Sequence, residues 1–262
     1  MNLTAEQIQG NWELFLSNIE KYISEPRKVK LLDFYNQNSE RIILMPAAHT
    51  TKYHNCFPGG YVEHVNRVVE CTLKQYKLWE HMGCDVTTFT VEELVFAAIN
   101  HDLGKLGDSQ NDLYIPSKDE WRKKNLGEIY SYNTEVSFMT IPDRSLFLLQ
   151  EAGIPYTLNE MLAIRTHDGL YDEANKGYLI SRVPESRPKS VIVFILHQAD
   201  LMASIIEMQR GASSIPKSKN FALDKPTTST SPITHQQKAK NKALSNVKSE
   251  GLKNMMDNFF ND

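Results

Sequence analysis

The sequence predicts a mostly helical, all-α protein, and three observations carry that prediction. In residues 61–80, YVEHVNRVVECTLKQYKLWE, Tyr61, Val65, Val68, Val69, Thr72, Tyr76 and Trp79 recur on one stripe at helical spacing. Two capping boxes, Thr90-Val-Glu-Glu93 and Thr157-Leu-Asn-Glu160, stand before further helical segments and mark helix starts. Alternating apolar and polar positions, which would mark half-buried strands, are scarce.

Taken in chain order, residues 1–44 are expected to form N-terminal helices packing on the core, and 45–210 the main domain. The helix opened by Thr90 ends near His101. A short hairpin has room within 111–133 or 177–183. The helix opened by Thr157 runs to His167. Residues 190–209, SVIVFILHQADLMASIIEMQ, are the most apolar segment and are expected to be a central helix. After Gly211 the text turns polar and rich in Pro, Ser and Thr, so 211–250 reads as a flexible linker. Large apolar residues return in 251–262, GLKNMMDNFFND, a short amphipathic peptide.

Hydrophobic residues make up 41% of the 262 and charged residues 23%, ordinary for a chain that buries a core. The net charge of −3 offers no global basic field for bulk nucleic-acid binding. It hides an asymmetry: residues 211–262 carry a net +4, which leaves the body at −7. Cys56, Cys71 and Cys84 form no CxxC pair and no disulfide framework, which fits a reducing cytoplasm. The polar N-terminus is unlike a signal peptide, and no apolar run is expected to reach the roughly 20 residues that span a bilayer.

Chemistry concentrates at HDLGK, residues 101–105. Val91, Leu94, Ala98 and His101 share a stripe, so His101 points inward. His64 lies one turn before Val68 at the edge of its apolar stripe. His197 and Asp200 are neighbours on one face of the last helix, and His167 follows Ala163 by one turn. Several imidazoles and two carboxylates therefore lean inward from four apolar helices. Left unpaired, each would cost at least about 2 kcal/mol. A shared divalent cation offsets that for several at once, and imidazole with carboxylate suits Mn, Fe, Co, Ni or Zn. For any single histidine the plain alternative is a hydrogen bond to a backbone carbonyl.

The order His64, His101-Asp102, Asp200 resembles the H…HD…D signature of the HD-domain superfamily of metal-dependent phosphohydrolases. YHNCFPGGYVEHVNRV, HDLGK and LHQADLMAS are similar to that family's corresponding texts, over about residues 45–210. The resemblance implies a compact helical HD-domain bundle in which His64, His101, Asp102 and Asp200 bind a divalent metal (Mn, Fe, Co, Ni, Zn or Mg). It implies that Lys105, of the HDxGK subset, contacts a substrate phosphate, and that His54 and His167 face substrate or a second metal. His197 is either a ligand or a partner to one. No histidine lies between 102 and 166, where two-metal members supply one; Asp143 or Glu135 are the nearest substitutes, and one tightly held ion is expected.

The implied reaction is in-line hydrolysis of a nucleotide's phosphoester or phosphoanhydride bond by metal-activated water, with Lys105, His54 and His167 stabilising charge. Asp168 is expected to be a base or second acceptor, with a plain helix end before Gly169 as the alternative. A solvated cap is the alternative for Lys105. Arg122, Lys123 and Lys124, beside Trp121 and ahead of Tyr130 and Tyr132, are expected to grip the nucleotide, with Arg182 and Arg187 as further candidates; a solvated charged face is the alternative. The absence of a Gly-rich phosphate loop disfavours a kinase or ATPase.

Three other functions stay open: a 3′→5′ exonuclease on short single strands, disfavoured by the acidic body; an HD-type di-iron oxygenase; and a tethered metal-binding module. Lys253-Asn-Met-Met256-Asp-Asn-Phe259-Phe260 resembles peptides that dock on DNA sliding clamps, with Lys253 in place of their Gln. The alternative is an amphipathic helix that docks on its own body. The core with its tail also resembles HD proteins of tailed phages, which implies action in a host cytoplasm.

Overall fold

The two capping boxes form as the sequence predicts. Thr90 accepts from the Glu93 N–H and opens α5 (Val91–Asn100); Thr157 does the same with Glu160 and opens α8 (Leu158–Thr166). The structure, a computed structural model, describes residues 3–181 and 183–212, the last two by backbone alone. Arg182 and the Lys253–Phe260 peptide lie outside the described residues.

Helices dominate. Before α5 come α1 (Ala5–Tyr22), α2 (Arg27–Gln37), α3 (Ser39–Ile42) and α4 (Gly60–His81); between α5 and α8 come α6 (Glu120–Leu126) and α7 (Ile141–Glu151); after α8 come α9 (Lys176–Leu179) and α10 (Ile192–Ala212). Two three-residue strands, β1 (Tyr114–Pro116) and β2 (Tyr130–Tyr132), pair antiparallel around α6, with Tyr114 opposite Tyr132. The hairpin therefore forms in the first of its two expected places. At 177–183 the chain is instead helical from Lys176 to Leu179.

One hydrophobic core takes Phe15 and Ile19 of α1, Leu31 and Tyr35 of α2, Tyr61, Val65 and Val68 of α4, and Ile192, Ile195, Leu196, Ala199 and Ala203 of α10. On α4 the predicted stripe is buried from Tyr61 to Thr72, while Tyr76 and Trp79 are half-buried at its far end. On α5 burial goes beyond one stripe: every residue from Leu94 to Asn100 is buried, because α1, α4, α8 and α10 surround it. The expectation that no apolar run approaches membrane-spanning length is too strong for α10. Its Ile192–Arg210 segment reaches 19 residues and is long and apolar enough to cross a membrane by length and composition. Here it packs on α4 and α8.

Two glycines set the geometry of the site. A Cβ on Gly60 would lie 2.1 Å from the Asn55 carbonyl oxygen, so the bare backbone lets the loop carrying His54 fold against the start of α4. A Cβ on Gly104 would lie 2.2 Å from the Ile141 carbonyl oxygen, so the 3₁₀ turn Leu103–Leu106 can press onto α7.

Candidate metal centre

His101 and His167 are placed by the same local device. Each caps the C-terminus of a helix opened by a capping box, and each folds its ring back on its own last turn. His101 Nδ1–H donates to the Ala98 carbonyl at 2.8 Å, and His167 Nδ1–H to that of Ile164 at 2.8 Å. The carbonyl acceptor fixes the tautomer, leaving Nε2 to face the centre. The two rings meet edge to face with centroids 4.7 Å apart.

His64, from the first turns of α4, is fully buried, and its Nδ1–H donates to Glu207 Oε2 at 3.0 Å. Its Nε2 lies 3.1 Å from Asp200 Oδ1 and 3.5 Å from Asp102 Oδ2. His101 Nε2 lies 3.4 Å from Asp102 Oδ2 and 3.7 Å from Asp200 Oδ1; His167 Nε2 lies 3.6 Å from Asp102 Oδ1. Although carboxylates are near, Nε2 of His54, His64 and His101 are buried without a directed hydrogen bond. Such nitrogens suit a metal and are otherwise costly.

Ligand atoms within 4.8 Å of one another form three triplets: His54, His64 and Asp102; His64, His101 and Asp200; His101, Asp102 and His167. His64, His101 and Asp102 each belong to two. The four residues expected to bind the metal are thus together at the centre, with His54 on one side and His167 on the other. The His54 and His64 ring centroids are 4.3 Å apart. The borderline N/O donor set fits a divalent first-row cation.

Burial decides between the two expectations for Lys105 only by removing the solvated cap. The Lys105 Nζ lies 2.5 Å from Asp102 Oδ2 within the cluster. The turn that carries it is held by Ser145 of α7, whose hydroxyl accepts from the Gly104 N–H at 2.8 Å and faces the His101 carbonyl at 2.9 Å. The segment without a histidine thus supplies a clamp for the HDLGK turn. Asp143 pairs with Arg165 at 3.1 Å and Glu135 is exposed, so neither substitutes for the missing histidine.

The charges are strongly coupled. Burial works against protonating His64, but the Glu207 carboxylate and then Asp200 outweigh it and carry the ring up to about 10. Burial likewise opposes His167, and Asp168 with Asp102 carries it up to about 9. Burial opposes ionising Asp102, yet Lys105 and His101 hold it well below the usual carboxylate range; His64 and its neighbours hold Asp200 down in the same way. His54 goes the other way: burial, with the His64 and Lys105 charges, pushes it down to about 2.

The remaining expected residues separate. Asp168 Oδ1 is 3.6 Å from His167 Nε2, and the side chain is 44% exposed at the rim. His197 Nδ1–H donates to the His167 carbonyl at 2.8 Å, so it supports the turn that carries His167. Arg122 and Lys123 pair with Glu128 and Glu120 on the surface, and Lys124 is exposed. Among the described residues no hydrogen bond or ion pair joins any of these three to the cluster. Arg187 Nε–H donates to the Ser181 carbonyl. Sequence reasoning missed Glu207 and Ser145. An acid seven residues after Asp200, on the same face of the most apolar helix, was the available signal for Glu207.

The fold and site define an all-α protein with a buried His/Asp cluster able to bind a metal ion. Compared with protein-family models, curated proteins and solved structures, the chain matches none.

Proposed function

We propose that this protein is an HD-type metal-dependent phosphohydrolase that cleaves a phosphoester or phosphoanhydride bond of a nucleotide. The observation that carries the reading is the convergence of His64, His101, Asp102 and Asp200, with their imidazole Nε2 atoms inward and buried Lys105 beside them. A divalent cation bound there would polarise a phosphoryl oxygen and acidify water. Attack by water forms a new P–O bond and breaks the bond to the leaving oxygen, so one proton must be taken up and one delivered. Buried His167, whose Nε2 is 3.6 Å from both Asp102 Oδ1 and Asp168 Oδ1, would hold a proton between the cluster and Asp168 at the rim. Lys105 offsets negative charge without needing solvent, and neutral His54 can donate or accept a hydrogen bond on the opposite side.

The test is a phosphate-release screen on purified protein with Mn²⁺, Co²⁺ or Mg²⁺. Its substrates are deoxynucleoside triphosphates, nucleoside monophosphates, cyclic dinucleotides and short single strands, with Asp102→Ala as control. Turnover of one class, lost in the variant, is the expected result. Stoichiometric bound metal with no turnover of any class would overturn the hydrolase reading and bring forward an oxygenase or a binding module.

A further inference from the structure

A group of aromatic rings beside the metal centre has no role in the chemistry above. His49 and Tyr53 lie on the loop before α4, Tyr114 on β1 and Tyr132 on β2. The His49 ring centroid is 4.9 Å from that of Tyr132, 6.0 Å from Tyr114 and 6.1 Å from Tyr53. Tyr114 meets Tyr132 edge to face at 5.3 Å. Tyr114 is buried, whereas Tyr53 and Tyr132 leave 59% and 55% of their surface to solvent. Single exposed aromatics are common on protein surfaces. A contiguous set beside a buried polar centre marks a binding surface.

Backbone hydrogen bonds make this group a fixed wall. The Tyr130 N–H donates to the His49 carbonyl at 3.0 Å, the Thr51 N–H to that of Gly127 at 2.8 Å, and the Thr50 hydroxyl to that of Leu126 at 3.1 Å. The same loop carries His54 against His64, so one short segment joins the wall to the His/Asp cluster. Their chemistries are complementary. Burial favours the neutral form of His49, and the wall as a whole presents π surface. The neighbouring centre, with a divalent cation among its imidazoles and carboxylates and Lys105 beside it, would suit an anion. A ligand matching both has a flat, uncharged ring joined to a phosphate. A sugar phosphate or an inorganic polyphosphate would leave the rings uncovered.

We propose that His49, Tyr53 and Tyr132 form a base-stacking subsite that selects nucleoside phosphates, with the phosphate directed to the His/Asp cluster. This rests on the phosphohydrolase reading. Stacking on such rings tolerates any base, since every base has a π face.

The test measures binding to the full chain in Mn²⁺. Its probes are two fluorescent, nonhydrolysable nucleoside 5′-phosphonates, one purine and one pyrimidine, with the base-free ribose 5-phosphonate as comparison. Nucleoside probes are expected to be quenched on binding and to bind about 10- to 100-fold more tightly than the base-free probe. Tyr53→Ala with Tyr132→Ala should remove that ratio, and Tyr53→Phe with Tyr132→Phe should retain it. Equal binding of nucleoside and base-free probes to the unaltered protein, or a ratio unchanged in the alanine variant, overturns the subsite and leaves the phosphate site standing. Binding of Mn²⁺ with no binding of any probe overturns both.

Discussion

Among the inward histidines, His64 differs by one atom. His101, His167 and His197 each give the Nδ1 proton to a neutral backbone carbonyl, whereas His64 gives it to the Glu207 carboxylate. A charged acceptor raises the electron density at the opposite nitrogen and strengthens it as a ligand. Glu207 is in turn held by Arg67 Nε–H at 2.9 Å, so its position does not depend on His64 alone. Glu207→Gln keeps the size and an acceptor oxygen but removes the charge. Mn²⁺ affinity is expected to fall about tenfold. Because the change also removes the carboxylate that Arg67 and His64 share, the metal-free variant is expected to unfold at lower temperature while keeping its helicity at room temperature. Equal affinities in a Mn²⁺ titration of the two proteins would reduce Glu207 to a structural partner of Arg67.

At the scale of elements, the helix that ends in His167 is anchored by a buried ion pair. Arg27 of α2 donates through Nη1 to both oxygens of Glu160 at 2.7 and 2.8 Å and through Nη2 to Glu92 at 2.6 Å, with its guanidinium 4.2 Å over the Phe96 ring. Glu160 is fully buried and also closes the capping box of α8. Burial raises its carboxyl from the ordinary 4.5 to about 6 despite the Thr157 N–H and Arg27. Because the folded state binds the proton more tightly, Glu160 contributes stability below 4.5 that is lost as pH rises through about 6. Arg27→Ala strands the ionised carboxylate and is expected to cost about 3 kcal/mol near neutrality. The deficit should shrink towards acid pH as Glu160 protonates. Urea unfolding of both proteins at neutral and acid pH measures this, and a deficit that does not vary with pH would assign the loss to the Phe96 contact instead.

Over the whole molecule, four helices that share one core deliver the candidate ligands: α4 brings His64, the ends of α5 and α8 bring His101 with Asp102 and His167, and α10 brings Asp200. A cation bound among them would tie these helices together and, by favouring the folded chain, would stabilise the fold. Saturating Mn²⁺, at about a hundred times its Kd, is expected to add about 2.7 kcal/mol and raise Tm, with full reversal by chelator. Asp200→Ala should abolish the response. A Tm indifferent to every divalent cation would show that the cluster is a buried ion-pair network and holds no metal.

What the sequence by itself determined is local. The capping boxes at Thr90 and Thr157, the stripe on α4 and the inward lean of His64, His101, His167 and Asp200 follow from spacings of three and four residues, which any α-helix converts into one face. The short hairpin was legible as a place but not as a partner. Tertiary structure alone decided which faces meet. Glu207 reaches His64 across 143 positions, Arg27 reaches Glu160 across 133, and Ser145 clamps the His101 turn across 44. The His49 loop finds the Tyr130 strand through a hydrogen bond between backbones that no periodicity announces. Burial likewise took Lys105 off the surface and set it beside Asp102, because a desolvated ammonium needs a carboxylate partner. Helical periodicity is a property of neighbouring residues, whereas a site built from four helices, a loop and a hairpin depends on the path of the whole chain.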